Sequence, residues 1–256
     1  MMLLAGRYPA QRDWFSVMTS SLTSTGKFSL LIISILIFIS QLSHASVIVQ
    51  NTRIVYPADK QYVSVQLINN SSTPSLVQSW IDGGDVDSTP ETTTVPFIIT
   101  PPITKISAYD GTQLKIHFLN QALPQDRESV YYFNILDISP KPDNYHAVNR
   151  LQLTIQTRIK LFYRPVKLPI GIEKSLYELT FSASNKSIII NNPTPYFITI
   201  ANISFKNDKL LSHSVMLDPF SKQEVSIDRE SSAEWIIDVD FIGDSGDYTR
   251  VSKKML

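Results

Sequence analysis

The tetrapeptide Gly243-Asp244-Ser245-Gly246 has the residue types that surround the nucleophile of trypsin-like proteases. A nucleophilic serine needs a base to take its proton and a carboxylate to orient that base. Histidines stand only at 44, 117, 146 and 213, none in an Ala-His context, and His117 alternates within a strand-like pattern. Such proteases also need a larger double barrel than the residues around this tetrapeptide provide. A glycine-containing turn between strands accounts for it better. Asp82, Asp85 and Asp87 offer the clustered oxygens that a hard cation requires. Their spacing matches no EF-hand loop, no glutamate closes it at the twelfth position, and a solvated loop is the default. Cysteine is absent, which removes disulfides, thiolate metal sites and Cys nucleophiles together. The histidines are too scattered for a metal site, and no Gly-rich phosphate cradle or pair of carboxylates in a catalytic setting is present. The expectation is therefore a protein that is not an enzyme, with no catalytic residues, no metal and no cofactor.

One stretch has the patterning of a binding element. From Leu151 to Phe162 the chain reads Leu-Gln-Leu-Thr-Ile-Gln-Thr-Arg-Ile-Lys-Leu-Phe, alternating apolar and polar for about ten residues. That pattern fits an interior strand with one wet face. It fits also, though less readily, an edge strand that offers alternate apolar side chains and free backbone groups to a partner. Periodicity does not separate the two.

The elements around this stretch read as strands throughout. Val63, Val65 and Leu67 alternate with polar residues, as do Leu114, Ile116 and Phe118, then Tyr131, Phe133 and Ile135. Leu179 with Phe181, Ile188 with Ile190, and the run from Phe197 to Phe205 continue the pattern. Period two with β-branched and aromatic residues, bounded by turn clusters, predicts strands, and no sustained helical stripe is present. The 43% apolar and 18% charged residues fit a folded protein. With 23 basic against 23 acidic residues there is no cationic excess to grip nucleic-acid phosphates.

Lys27, the apolar run over 28–39 and the small residues Ser43 and Ala45 form a secretory signal cleaved after Ala45. The run is shorter than the roughly 20 residues of a membrane span, so no stable span is expected after cleavage. Met18 offers a second start that would give the leader an ordinary length. The remaining 20 basic and 22 acidic residues leave a net charge of −2. Without cysteine the secreted chain must be held by core burial alone. Arg164-Pro165-Val166-Lys167-Leu168-Pro169 carries two prolines four residues apart, which no regular strand runs through. The predicted organisation is a signal peptide over 1–45 and domains over 46–165 and 166–256, each near the size of one sandwich.

Several stretches resemble the periplasmic pilus (fimbrial) chaperones, the PapD-like family. They are Leu123-Pro124-Gln125-Asp126-Arg127-Glu128-Ser129, Thr157 to Pro165, and Asn192-Pro193-Thr194-Pro195-Tyr196-Phe197. Thr52-Arg53, Gln78-Ser79-Trp80-Ile81 and Thr100-Pro101-Pro102 stand in the family's order before them. The resemblance implies an all-β fold of two immunoglobulin-like sandwiches set at an angle. It implies a periplasmic chaperone that binds and caps fimbrial subunits by donor-strand complementation and delivers them to an outer-membrane usher.

By that resemblance the donor strand matches Asn149 to Phe162, with Leu151, Leu153 and Ile155 as the inserted side chains. Arg53 and Lys160 match two cleft cations that hold the subunit's C-terminal carboxylate. Lys160 has the opposite parity to Leu151, Leu153 and Ile155, and Arg158 shares its face; a bulge, a bend or strand twist must reconcile them. Preferring Lys160 to Arg158 rests on the motif. Glu128, Arg164 and Asp244 match a charged bridge between the domains. An usher-facing surface maps to Leu76, Gln78, Thr100, Pro101, Pro102 and Ile138. The short connection from Ile138 to Asn149 resembles the branch that serves rod-forming pili. The alternative is a secreted two-domain β-sandwich that is itself a structural or adhesive subunit.

Overall fold

A computed structural model of the chain describes residues 47–140 and 154–256. The leader at 1–45, and Leu151 and Leu153, lie outside these residues. Among the described residues nine strands form the first part: β1 Val47–Val49, β2 Arg53–Pro57, β3 Val63–Asn69, β4 Ser75–Asp82, β5 Phe97–Thr100, β6 Ile103–Ile106, β7 Gly111–Phe118, β8 Ser129–Ile138 and β9 Ile155–Arg164. One sheet has the order β1-β3-β7-β5 and the other β2-β9-β8-β4-β6. Alternation sends Val65, Leu67, Leu114 and Ile116 inward from one sheet and Phe133, Ile135 and Leu161 from the other, all at most 1% exposed. Each such side chain contributes roughly 1.5–3 kcal/mol on full burial, which is how a chain without disulfides coheres.

The second sandwich follows a short helix, α1 Ile172–Glu178. Its strands are β10 Thr180–Ser184, β11 Ser187–Asn192, β12 Ile198–Phe205, β13 Asp208–Lys209, β14 Val215–Leu217, β15 Ser221–Ser226, β16 Ile236–Ile242 and β17 Tyr248–Lys254. They form sheets ordered β10-β11-β15 and β13-β12-β16-β17, with β14 beside β12. Phe181, Ile188, Ile200, Val239 and Phe241 belong to a core of its own. The helix departs from the all-strand reading. Two turns are too short to show a 3.6-residue period, and Ile172 and Leu176, one turn apart, pack on the second core.

The path of the first strands prepares the site. The chain pairs with β3 as β1, crosses to the other sheet over residues 50–52, and runs parallel to β9 as β2. The parallel register begins at Arg53 opposite Lys160 and ends at Pro57 opposite Arg164. The first half of β9, Ile155 to Ile159, pairs with β8 on one side; among the described residues no strand pairs its other edge. A buried carboxylate ties the start of β1 across to the other sheet. Asp137 of β8 accepts the Val47 amide at 3.0 Å and the Ser75 hydroxyl at 2.6 Å.

Candidate functional site

Arg53 and Lys160 sit side by side because β2 and β9 are parallel neighbours in register. Arg53 is 9% exposed; its Nη1 donates to the Ile242 carbonyl at 3.1 Å and its Nε has no partner. Burial pulls the Arg53 pKa down, and the nearby carboxylates of Asp244, Asp247 and Glu128 act against that pull. Lys160 is half-buried and engages no carboxylate among the described residues. Its ammonium is pushed below the ordinary lysine range, first by burial and then by the charge of Arg53. Two cations held together without a bonded anion form a site complementary to one carboxylate.

Arg158, two residues away on the same face of β9, is different. Its guanidinium donates to both oxygens of Asp82, at 2.5 and 3.1 Å, and lies over the Tyr132 ring at 3.8 Å. Burial opposes ionisation of Asp82, but bonds from Arg158, Asn134 and the Gly84 amide outweigh it and hold the carboxyl below the usual range. Arg158 is thus neutralised where Lys160 is not. Asp82, read from the sequence as part of a solvated acidic loop, is 1% exposed at the end of β4 and belongs to this ion pair. The signal was present in Trp80-Ile81-Asp82, where two consecutive apolar residues of the strand run directly into the acid.

Ile155 opens β9, 53% exposed, with its parity shared by Ile159 and the buried Leu161. The proposed inserted residues Leu151 and Leu153 lie outside the described residues.

Glu128, Arg164 and Asp244 meet in one ion-pair chain. Arg164 Nε donates to Glu128 at 2.6 Å, and its terminal nitrogens donate to Asp244 at 2.6 and 2.8 Å. Glu128 also accepts the amide of Phe197 in the second sandwich at 2.9 Å. Burial pushes the Glu128 carboxyl up despite these donors. Burial lowers the Arg164 pKa, yet its bonds to the two carboxylates and their charge raise it far above its ordinary value. Both shifts are upward, which favours the charged form of Arg164 and disfavours that of Glu128: Arg164 gains from the bridge while Glu128 still bears a desolvation penalty, so the bridge orients more than it stabilises. Asp244 is 40% exposed at its side chain, which screens its share. Asp244→Asn is accordingly expected to cost about 1 kcal/mol, a fall in Tm of about 2–4 °C by calorimetry, with both cores intact.

Ser245 of the Gly-Asp-Ser-Gly stretch donates to Asp247 and lies in the turn between β16 and β17. Between the sandwiches lies a cavity of about 560 Å³ with Arg53, Glu128, Arg164 and Asp244 on its polar side and Phe162, Leu176 and Phe197 on its apolar side.

Leu76, Gln78 and Ile138 share one face of β4 and β8, with Leu76 opposite Ile138 in register and 43% exposed. Thr100, Pro101 and Pro102 are exposed at the corner between β5 and β6, and the Pro102 carbonyl accepts the Ser79 amide of β4 at 2.8 Å. Leu76, Gln78 and Ile138 therefore lie on the sheet that contains β9, and Thr100, Pro101 and Pro102 flank it where the chain crosses from the other sheet.

Residues 46–169 match the family described as pili and flagellar-assembly chaperone, PapD N-terminal domain. Residues 174–253 match its pili assembly chaperone PapD, C-terminal domain. The chain is 36% identical to the probable fimbrial chaperone YehC of Escherichia coli K12, over 85% of this chain and 90% of that one. It is 40% identical to the chaperone protein HifB of Haemophilus influenzae, over 70% and 76% of the two. Among solved structures, the Pseudomonas aeruginosa CupB2 chaperone superposes with a TM-score of 0.69 at 30% identity, covering 82% of this chain and all of the other.

Proposed function

The chain belongs to the PapD-like pilus-assembly chaperones, and on that footing we propose that it captures fimbrial subunits along the unpaired half of β9 and anchors their C-terminal carboxylate on Arg53 and Lys160. The observation that carries this reading is a coincidence of position. The edge of β9 opens at the register point where the two cations stand without a bonded carboxylate. A subunit strand laid along Ile155 to Ile159 would gain main-chain hydrogen bonds independent of its sequence, and the cations would fix where it ends. Leu151, Leu153 and Ile155 supply the side chains that enter the subunit's groove. Membership in a chaperone family sets aside the alternative of a structural or adhesive subunit.

The finer steps follow from the same reading. The leader over 1–45 directs the protein to the periplasm and is removed after Ala45. No helix among the described residues is long and apolar enough to cross a membrane. Leu76, Gln78, Thr100, Pro101, Pro102 and Ile138 form the surface that docks on an outer-membrane usher, away from the anchor at the other end of the sheet. Glu128, Arg164 and Asp244 hold the two sandwiches so that the anchor stays open. No nucleotide is needed, because strand exchange between subunits can drive release.

Affinity purification of the protein from a periplasmic extract of its own cell, followed by mass spectrometry, tests this reading. The expected result is one small β-rich subunit in stoichiometric amount, absent when the bait is Lys160→Ala. Recovery of the bait alone, or as homopolymers, would overturn it.

A further inference from the structure

Both cations of the anchor come from the first sandwich, yet Arg53 is held by the second. Its bond to the Ile242 carbonyl reaches the last residue of β16. The turn that follows is closed on itself. The Gly243 amide donates to the Asp247 carbonyl at 2.8 Å, the Gly246 amide to the Gly243 carbonyl at 3.0 Å, and the Ser245 hydroxyl to the Asp247 carboxylate. Gly246 has φ +88°, in the left-handed region that disfavours side chains. A Cβ there would overlap the hydroxyl of Thr52, the residue that precedes Arg53. At Gly243 a Cβ would stand 2.6 Å from the Asp247 carboxylate. Two glycines thus let the turn close tightly and seat against the strand that carries the anchor arginine.

We infer that the β16–β17 turn is a positioning element of the carboxylate anchor, holding Arg53 beside Lys160 through the Ile242 carbonyl and the seating of Gly246 on Thr52. The inference rests on the anchor reading above. A guanidinium beside a like charge gains by swinging toward solvent or into a direct ion pair. Asp244, Asp247 and Glu128 lie near enough to favour its charged state, and none of them bonds it. The carbonyl of Ile242 takes one nitrogen and leaves Nε without a partner, so the charge stays available to an incoming anion. The second sandwich therefore contributes to recognition by geometry and supplies no ligand of its own. Asp244 ties the same turn to Arg164, which makes alignment of the sandwiches and alignment of the anchor one property.

The test separates anchoring from strand pairing. The probe is a synthetic peptide of alternating apolar residues with a free C-terminal carboxylate, compared with the same peptide ending in an amide, each titrated into the full chain. The amide form reads the β9 edge alone, and the ratio of the two affinities reads the anchor. In the parent protein the acid is expected to bind about tenfold more tightly or better. In Gly246→Ala that ratio is expected to fall to about one, with the amide affinity unchanged. Gly243→Ala is the milder second variant, since its methyl meets only the movable end of Asp247, and its ratio is expected to fall part of the way. It decides the matter if Gly246→Ala loses both peptides together. A parent ratio near one would overturn the anchor reading itself. A full parent ratio that survives in the folded glycine variants would overturn the positioning role alone.

Discussion

A Lys160→Met protein is expected to fold with stability equal to or above that of the parent and to lose subunit capture by about 100-fold, the equivalent of about 3 kcal/mol. Lys160 is half-buried beside Arg53 with no bonded carboxylate, so its charge is a cost that the free protein bears. Methionine keeps the length and apolar stem and removes that cost. The bound state loses a charge-assisted contact to the subunit's terminal carboxylate. The same reasoning fixes the sign of the pH dependence. Because the Lys160 pKa is depressed in the folded protein, its penalty is full below that depressed value and is relieved as pH rises from there to the ordinary lysine range. A bound carboxylate favours the protonated amine, so capture weakens as pH rises through the depressed pKa, and Lys160→Met should lose that pH dependence. Thermal melts of the free protein and capture titrations across alkaline pH check both halves. A Lys160→Met protein that captures subunits normally would place the anchor elsewhere; one that melts well below the parent would show that the ammonium has an intramolecular partner.

How much of this was legible in the residues varies with the range of the interaction. Period-two alternation placed most of the strands, because that signal is local. Arg53 and Lys160 are 107 positions apart, and only the parallel register of β2 on β9 brings them together. No spacing rule anticipates that register; the resemblance to the family named the two residues together without it. Arg158 and Lys160 are equivalent in the alternation, and what separates them is Asp82, contributed from β4. The glycines at 243 and 246 read as a generic turn, since nothing near them in sequence announces Thr52 as their neighbour. The parity conflict between Lys160 and Ile155 takes a different form in three dimensions. Ile155 stands at the open start of β9 and Lys160 midway along it, where β2 begins to pair, so the proposed roles ask an apolar side chain of the one and a charge of the other.

That division of labour makes Ile155→Glu the complementary experiment. Ile155 is 53% exposed in the free protein, so a glutamate there is solvated and the melting temperature should stay within about 0.5 kcal/mol equivalent of the parent. On capture the same carboxylate would have to enter an apolar groove in the subunit. An uncompensated buried charge costs several kcal/mol, so capture is expected to fall by more than about 100-fold. Ile155→Val removes one methylene from the same contact and is expected to weaken capture by only a few-fold, in line with about 0.5–1.5 kcal/mol. Sedimentation or size-exclusion assays of chaperone–subunit complexes read both variants. Normal capture by Ile155→Glu would mean that the strand enters the subunit by another face or register. The pH profile adds a second check on the division of tasks. Residual capture by Ile155→Glu should still weaken as Lys160 deprotonates, because the anchor is intact, whereas residual capture by Lys160→Met should not. Loss of the pH dependence in both would show that edge and anchor act as one cooperative site and not as two.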